Sequence, residues 1–300
     1  MRVFVTGATG VLGMSAIAAL LADGHDVTGL ARNSEKAELL CGAGAAASRA
    51  PLFDVECLAR AFEGHEAVCN LATHIPVGIV GIRRGAWKVN DRLRVEGSRA
   101  VAQAARLAGV RRLVQESVSL VYADMGDEWI TEDSPLSVTG AVEPCAVAES
   151  NAATFESPSR VPVILRFGAL IGDDPTTRLR IAHARAGRPI GLGDPHGWMH
   201  IVHPEDAGRA VAAAIAAPAG VYNVGAEPVR RREMTRVIGE VVGKPEVGFV
   251  PRLVLKLAGE RMELMTRSHR VSSDRFHEAT GWKPLHHTFD ASWLAALAQP

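Results

Sequence analysis

An α/β fold, in which a doubly wound parallel sheet is joined to a smaller C-terminal substrate lobe, is predicted by three observations. The chain opens with the apolar strand Arg2-Val3-Phe4-Val5, which runs straight into Gly7, Gly10 and Gly13 and then an alanine-rich helix. Short apolar runs alternate with helix-length stretches through the first half, the rhythm of strands buried on both faces and joined by crossover helices. Past residue 166 that rhythm is broken by Pro175, Pro189, Pro195, Pro204 and Pro218, which marks a second lobe.

The glycines come first because they carry chemistry. Gly7 allows the tight strand-to-helix turn, Gly10 lets a pyrophosphate approach the backbone, and Gly13 lets the helix pack on the sheet. Thr9, Val11 and Leu12 complete a loop whose free N–H groups and helix dipole meet a ligand's negative charge. A helix over residues 13–22, the turn Asp23-Gly24-His25-Asp26 and a strand over 27–31 follow, closing a Rossmann-like βαβ unit of about thirty residues.

Further strands are predicted over residues 45–48, 67–71, 112–115 and 161–166, with helices over 34–41, 55–62, 90–108 and 145–155 between them. Beyond lie helices over 177–186 and 231–242 and a strand over 221–224. The expected division is a dinucleotide-binding domain at residues 1–166 and about 199–224, with the substrate lobe at about 167–198 and 225–300. There is no internal repeat.

At the end of the second strand, about twenty residues past the glycines, a carboxylate would bind an adenosine ribose and repel a 2′-phosphate. This chain has Arg32 there and Lys36 four residues later. An arginine fork suits phosphate, so NADP(H) is expected over NAD(H). Asp54, with Val55 beside it, is placed to accept from an adenine amino group, and Leu71, Ala72 and Thr73 end a strand where small residues admit the ring and ribose.

Composition excludes other classes. With 47% hydrophobic and 22% charged residues, and 33 basic against 33 acidic side chains, nothing marks a nucleic-acid or membrane-surface partner. The first strand begins at residue 2, and no apolar run approaches the roughly 18 residues that span a bilayer, so a cytoplasmic protein is expected. Cys41, Cys57, Cys69 and Cys145 lack paired metal spacing and read as reduced thiols. His196, His200 and His203 would share a face only on a helix that Pro195, Gly197 and Pro204 disfavour, so no metal site is expected. His203 is read as ending a strand, with Asp206 capping the next helix. No Gly-x-Ser-x-Gly turn supports a hydrolase. Residues 253–265 have apolar positions at helical spacing, read as packing in the lobe, and the helix over 90–108 offers a face for a homodimer.

The chain resembles the extended short-chain dehydrogenase/reductase superfamily, which includes the NAD-dependent epimerases and dehydratases. The likeness rests on residues 6–13, Asn70-Leu71-Ala72-Thr73, residues 117–122, Thr131-Glu132-Asp133-Ser134-Pro135, Leu165-Arg166-Phe167-Gly168, His203-Pro204-Glu205-Asp206, Tyr222-Asn223-Val224-Gly225 and Gly281-Trp282-Lys283-Pro284. It implies a catalytic Ser or Thr, a Tyr and Lys four residues apart, and an Asn on the preceding long helix. In that chemistry the lysine's charge lowers the tyrosine pKa while hydride passes to or from a nicotinamide.

The sequence departs from that pattern at its centre. In Pro144-Cys145-Ala146-Val147-Ala148-Glu149, Cys145 takes the tyrosine position and Glu149 the lysine position. Val118 falls at the Ser/Thr position between Ser117 and Ser119, and Arg94 falls at the Asn position. Candidate proton-handling residues are therefore Tyr122, Ser117, Ser119, Glu116 and Glu149, with Cys145 beside them and Arg94 holding an anionic or carbonyl group; Glu116 reads equally as an ion-pair partner of Arg94. The expected function is an NADP(H)-dependent oxidoreductase or epimerase-like enzyme on a small carbonyl or alcohol substrate, with a non-standard proton donor. The alternatives are a redox-silent NADP(H)-binding sensor or scaffold and a non-redox lyase or isomerase.

Overall fold

The computed structural model describes residues 1–83, 85–244, 247–257 and 259–297. Seven parallel strands form one sheet: β1 (Arg2–Thr6), β2 (Asp26–Leu30), β3 (Ala46–Ser48), β4 (Ala67–Asn70), β5 (Arg112–Val118), β6 (Val161–Phe167) and β7 (Gly220–Val224). Their spatial order is β7-β6-β5-β4-β1-β2-β3, with the order reversing on either side of β1 and β4. That reversal opens a crevice at the C-terminal edge of the sheet, where ligands bind in such folds.

Helices cover both faces. On one side lie α1 (Val11–Ala22), α2 (Ser34–Gly42) and, later in the chain, the helix Pro204–Ala214; with Val3, Val5, Cys69, Val114 and Val163 they make one core. On the other lie α3 (Val55–Phe62), α4, assembled from Lys88–Arg92, a π-turn Leu93–Gly97 and Ser98–Leu107, and α5 (Glu143–Ala153). These pack on Phe4, Val68, Leu113 and Ile164. Among the further helices are α6 (Pro175–Arg185), α7 (the Pro204–Ala214 helix), α8 (Arg231–Val241) and α9 (Asp274–Thr280).

Strand alternation sets where polarity appears. On the face toward α3–α5 each strand carries an apolar residue mid-sheet and a polar one two positions on: Phe4 then Thr6, Val68 then Asn70, Leu113 then Gln115 and Ser117, Ile164 then Arg166, Val221 then Asn223. Register aligns them laterally, Thr6 with Asn70 and Asn70 with Gln115, Ser117 with Arg166 and Arg166 with Asn223. A polar edge therefore crosses five strands at the mouth of the crevice.

Several expectations needed correction. The predicted helix over 253–265 is two short helices, Arg252–Leu257 and Glu260–Leu264. Leu255 and Leu264 are buried, but Leu253 is 70% and Leu257 81% exposed, so much of its apolar side does not pack in the lobe. The strand over 112–115 continues to Val118 and α5 starts two residues earlier than expected, at Glu143, because Pro144 is favourable in a first helical turn. No helix among the described residues is long and apolar enough to cross a membrane.

His200 is buried between Gly168 and Gly225; a Cβ on Gly225 would lie 2.0 Å from its Nε2. Burial pushes its pKa down to about 3, and burial likewise pushes His269 down to about 4. Below about pH 6.5 the unfolded chain takes up these protons while the folded chain refuses them, so stability falls as the pH drops. Urea titrations between about pH 6 and 4.5 should show His200→Leu with a slope shallower by about 1.4 kcal/mol per pH unit than the parent; an unchanged slope would contradict the neutral buried ring.

Candidate functional site

The cradle is built by backbone contacts that exclude side chains. Gly7 has φ +66°, and a Cβ there would sit 2.3 Å from the Leu71 carbonyl oxygen; one on Gly13 would sit 2.2 Å from the Gly7 oxygen. Gly10 differs, since a Cβ there would meet only the Gly7 oxygen, at 3.3 Å. A side chain at 10 would need the Gly7 backbone to give by only a few tenths of an ångström, so the fold constrains position 10 far less than 7 or 13. No side chain caps α1, and its hydrogen-bond ladder begins with the Met14 N–H donating to Gly10 O at 2.9 Å. The N–H groups of Val11, Leu12 and Gly13 precede that bond, donors of the kind that meet an anion at a helix N-terminus.

At the far end of the crevice Arg32 is exposed just beyond β2, and Asn33 caps α2 by accepting from the Lys36 N–H at 2.9 Å. Arg49, just past β3, reaches back so that its Nη1 donates to Ser34 Oγ at 3.3 Å. Arg32, Lys36 and Arg49 thus surround the first turn of α2. Sequence reasoning missed Arg49 because only the pairing of β3 with β2 brings it there. Asp54 caps α3, accepting from the Cys57 N–H at 2.9 Å, and that hydrogen bond holds its carboxyl below the usual range. Val55 opens the helix. Leu71 is buried against Gly7, while Ala72 and Thr73 are half-buried along the crevice.

The region of the missing Tyr–Lys pair is filled by a buried charge network. Arg166 grips Glu149 with two hydrogen bonds, Nε to Oε1 at 2.9 Å and Nη2 to Oε2 at 2.7 Å. Its Nη1 donates to the Tyr122 hydroxyl at 2.9 Å, which donates onward to Asn223 Oδ1 at 2.8 Å. Ser117 Oγ donates to Glu149 Oε1 at 2.5 Å. Beside this, Arg94 Nη2 meets Glu116 Oε1 at 2.9 Å, so Glu116 is an ion-pair partner. Both arginines stay firmly protonated because adjacent carboxylates outweigh their desolvation. Tyr122 is fully buried, and burial raises its hydroxyl pKa. Ser119 is buried at the start of the short 3₁₀ turn Ser119–Val121.

Two groups differ from the rest. Arg94 lies in the π-turn of α4, a distortion frequent at functional sites, and its Nη1 is buried without a partner among the described residues. Cys145 is 6% exposed; burial pushes its thiol up to about 11, with Arg94 pulling down and Glu116 and Glu149 pushing up. A second polar run, Thr6 Oγ1 to Asn70 Oδ1 at 2.5 Å and Asn70 Nδ2 to Gln115 Oε1 at 2.8 Å, connects the base of the cradle to the strand bearing Glu116.

Beside the cradle a cavity of about 680 Å³ is lined by Gly10, Ser15, His203, His286 and Trp293. His203 Nδ1, rather than Asp206, caps α7, accepting from the Glu205 N–H at 3.3 Å. Asp206 instead accepts from the backbone N–H groups of Leu285 and His286 at 2.7 and 2.9 Å and from His286 Nδ1 at 2.9 Å. His203, Asp206 and His286 have ligand atoms within 4.8 Å of one another, but the Asp206 oxygens are spent pinning the C-terminal segment to α7. His286 was invisible as a partner in the sequence because about eighty residues separate the two.

The model of the NAD dependent epimerase/dehydratase family matches residues 3–225. A Streptomyces 3-diazoavenalumate denitrifying reductase is 31% identical across the full length of both chains. An Arabidopsis thaliana chloroplastic homologue of the epimerase family protein SDR39U1 is 29% identical over 93% of this chain and 82% of its own. Among solved structures, human SDR39U1 with NADPH superposes with a TM-score of 0.79 at 21% identity, covering 99% of each chain. The dTDP-glucose 4,6-dehydratase DesIV of Streptomyces venezuelae with NAD superposes with a TM-score of 0.78 at 23% identity, covering 99% of this chain and 96% of that one.

Gly10→Ala should therefore fold with a cost under about 1 kcal/mol yet weaken NADPH binding at least about tenfold, measured by nicotinamide fluorescence. Unchanged affinity would place the pyrophosphate elsewhere.

Proposed function

The chain belongs to the NAD-dependent epimerase/dehydratase family, and from that premise we propose that it is an NADP(H)-dependent oxidoreductase of a small carbonyl or alcohol substrate in which the tyrosine's task has moved. The observation that carries this reading is how the network spends its polar groups. Tyr122, Ser117, Glu116 and Glu149 are committed to one another, to Asn223 or to arginines, whereas among the described residues Arg94 Nη1 has no partner and Cys145 is a free thiol.

Gly7, Gly10 and Gly13 with the N-terminus of α1 would hold a nicotinamide dinucleotide, which when bound would supply hydride for a carbonyl carbon or accept it from a carbinol. Arg94 Nη1–H binds the substrate oxygen and stabilises the negative charge that develops there. Cys145, at the tyrosine position and protonated at neutral pH, gives its proton to that oxygen during reduction; the thiolate left beside Arg94 regains a proton from solvent. Glu116 and Arg166 do not transfer protons. Glu116 orients Arg94 through Nη2, and Arg166 neutralises Glu149 so that no second free carboxylate opposes the developing oxyanion.

Arg32, Lys36 and Arg49 around the α2 terminus support a 2′-phosphate and hence NADP(H). The NADPH of human SDR39U1 agrees with that preference, while the NAD of the dehydratase leaves it to be measured. The absent Tyr–Lys pair favours one competing reading, a protein that binds NADP(H) without hydride transfer. That a Streptomyces relative is a 3-diazoavenalumate denitrifying reductase makes that diazo acid worth offering beside carbonyl compounds.

In titrations with NADPH and NADH, the parent should prefer NADPH and the Arg32→Ala/Arg49→Ala variant should lose that preference; no preference in the parent would overturn the cofactor assignment. With a carbonyl panel that includes the diazo acid, Cys145→Ala and Arg94→Met should each lower kcat by about 10²- to 10⁴-fold without changing NADPH affinity. Tyr122→Phe should stay within a few-fold. Tight NADPH binding with no turnover of any acceptor would favour the redox-silent reading.

A further inference from the structure

A second cavity, of about 950 Å³, opens between the segment after Tyr122, which carries Asp124 and Asp127, and the C-terminal lobe, where Arg231, Leu253, Leu255 and Ser268 line it. Its size is that of a small-molecule site. Among these lining groups Arg231 stands apart in its physical situation. It begins α8 and is 2% exposed. Its Nη2 donates to two carbonyl oxygens, Met265 at 3.2 Å and Arg267 at 2.5 Å, and its Nη1 is buried with no partner among the described residues.

A guanidinium taken out of water is costly unless a counter-charge meets it. Arg94 and Arg166, buried to a similar degree, each hold a carboxylate at 2.9 Å or closer. Arg231 does not: Asp124 and Asp194 act on it only through space, and both are exposed. Desolvation is accordingly the largest influence on it. The room it occupies is kept by a glycine, since a Cβ on Gly197, another lining residue, would lie 2.2 Å from Nη1. A clamp that only tied the chain at Met265 and Arg267 would use one nitrogen, and that nitrogen is Nη2.

We infer that Arg231 anchors a carboxylate of the substrate, whose apolar body lies against Leu253 and Leu255; this deepens the oxidoreductase reading and rests on it for the word substrate. The buried, unpartnered Nη1 suits a single carboxylate contact, in a charge-assisted hydrogen bond. The five carboxylates lining the cavity, Asp124, Asp127, Asp194, Glu260 and Glu263, outnumber its four cations, Arg230, Arg231, Arg252 and Lys256, so a phosphate dianion is opposed more than a carboxylate monoanion. The exposed Leu253 and the Arg252–Leu257 helix then have a use as an apolar wall for the rest of the ligand.

The test uses the intact protein and two probes of nearly equal shape, benzoate and benzamide, followed by calorimetry without dinucleotide, with NADPH binding measured separately. Benzoate should bind the parent at least about tenfold more tightly than benzamide. Arg231→Gln should erase the difference while keeping NADPH affinity, and Arg231→Lys should keep part of it. Equal binding of the two probes, binding of neither, or a benzoate preference that survives in Arg231→Gln would overturn the assignment. The parent comparison stands even if a variant fails to fold. Loss of NADPH binding in the parent would instead count against the oxidoreductase reading alone.

Discussion

The bidentate contact between Arg166 and Glu149 is the constraint around which the rest of the crevice is arranged. Each charge alone would be stranded in a desolvated setting, and breaking such a pair typically costs about 3–5 kcal/mol. Once Glu149 is fixed, Ser117 is drawn to it and Tyr122 is caught between Arg166 and Asn223. Three strands and α5 are thereby stitched at one level, because Ser117, Arg166 and Asn223 are register neighbours on β5, β6 and β7. The same contact explains why a lysine would not fit at position 149: its ammonium would meet the like charge of the Arg166 guanidinium where Glu149 now lies at 2.7–2.9 Å.

Charge in the crevice is therefore mostly cancelled in pairs, and few polar groups are left over. Arg94 is half-cancelled by Glu116, with one nitrogen unspent. The π-turn matters here because an added residue in one turn rotates a side chain relative to regular helix. The cradle follows the opposite logic. It has no side-chain charge of its own and offers N–H groups and a helix dipole, while the nearby cations Arg32, Lys36 and Arg49 stand apart from it, around the first turn of α2.

Much of the fold was legible because it is written locally. The glycine triplet follows a strand and opens a helix, and the apolar strand runs are short and bounded. Gly7 and Gly13 could be assigned from sequence because backbone approach excludes a Cβ there. The candidate site was legible by position only. Cys145, Glu149, Arg94 and Ser117 were marked by where they fall in the family pattern, and the structure brings their side chains together, but the partner that organises them, Arg166, was noted only as part of a strand motif. Its signal was present: a polar residue two positions after an apolar one, repeated at the end of five strands. Arg49, His286 and Arg231 were illegible for a different reason. Their partners lie on other elements, and no local spacing encodes a contact made by sheet order or by the return of the C-terminal segment. Residues 253–265 misled because helical spacing of apolar residues does not say whether anything covers them.

The most direct test of this account is a double-mutant cycle on the central pair, with stability measured by urea unfolding of Glu149→Leu, Arg166→Met and the two together. The account predicts that each single change costs about 3–5 kcal/mol, whereas the double change costs far less than their sum because no uncompensated charge remains. Additive losses would contradict it, showing that the two side chains do not act as a unit and that the crevice is organised by something else.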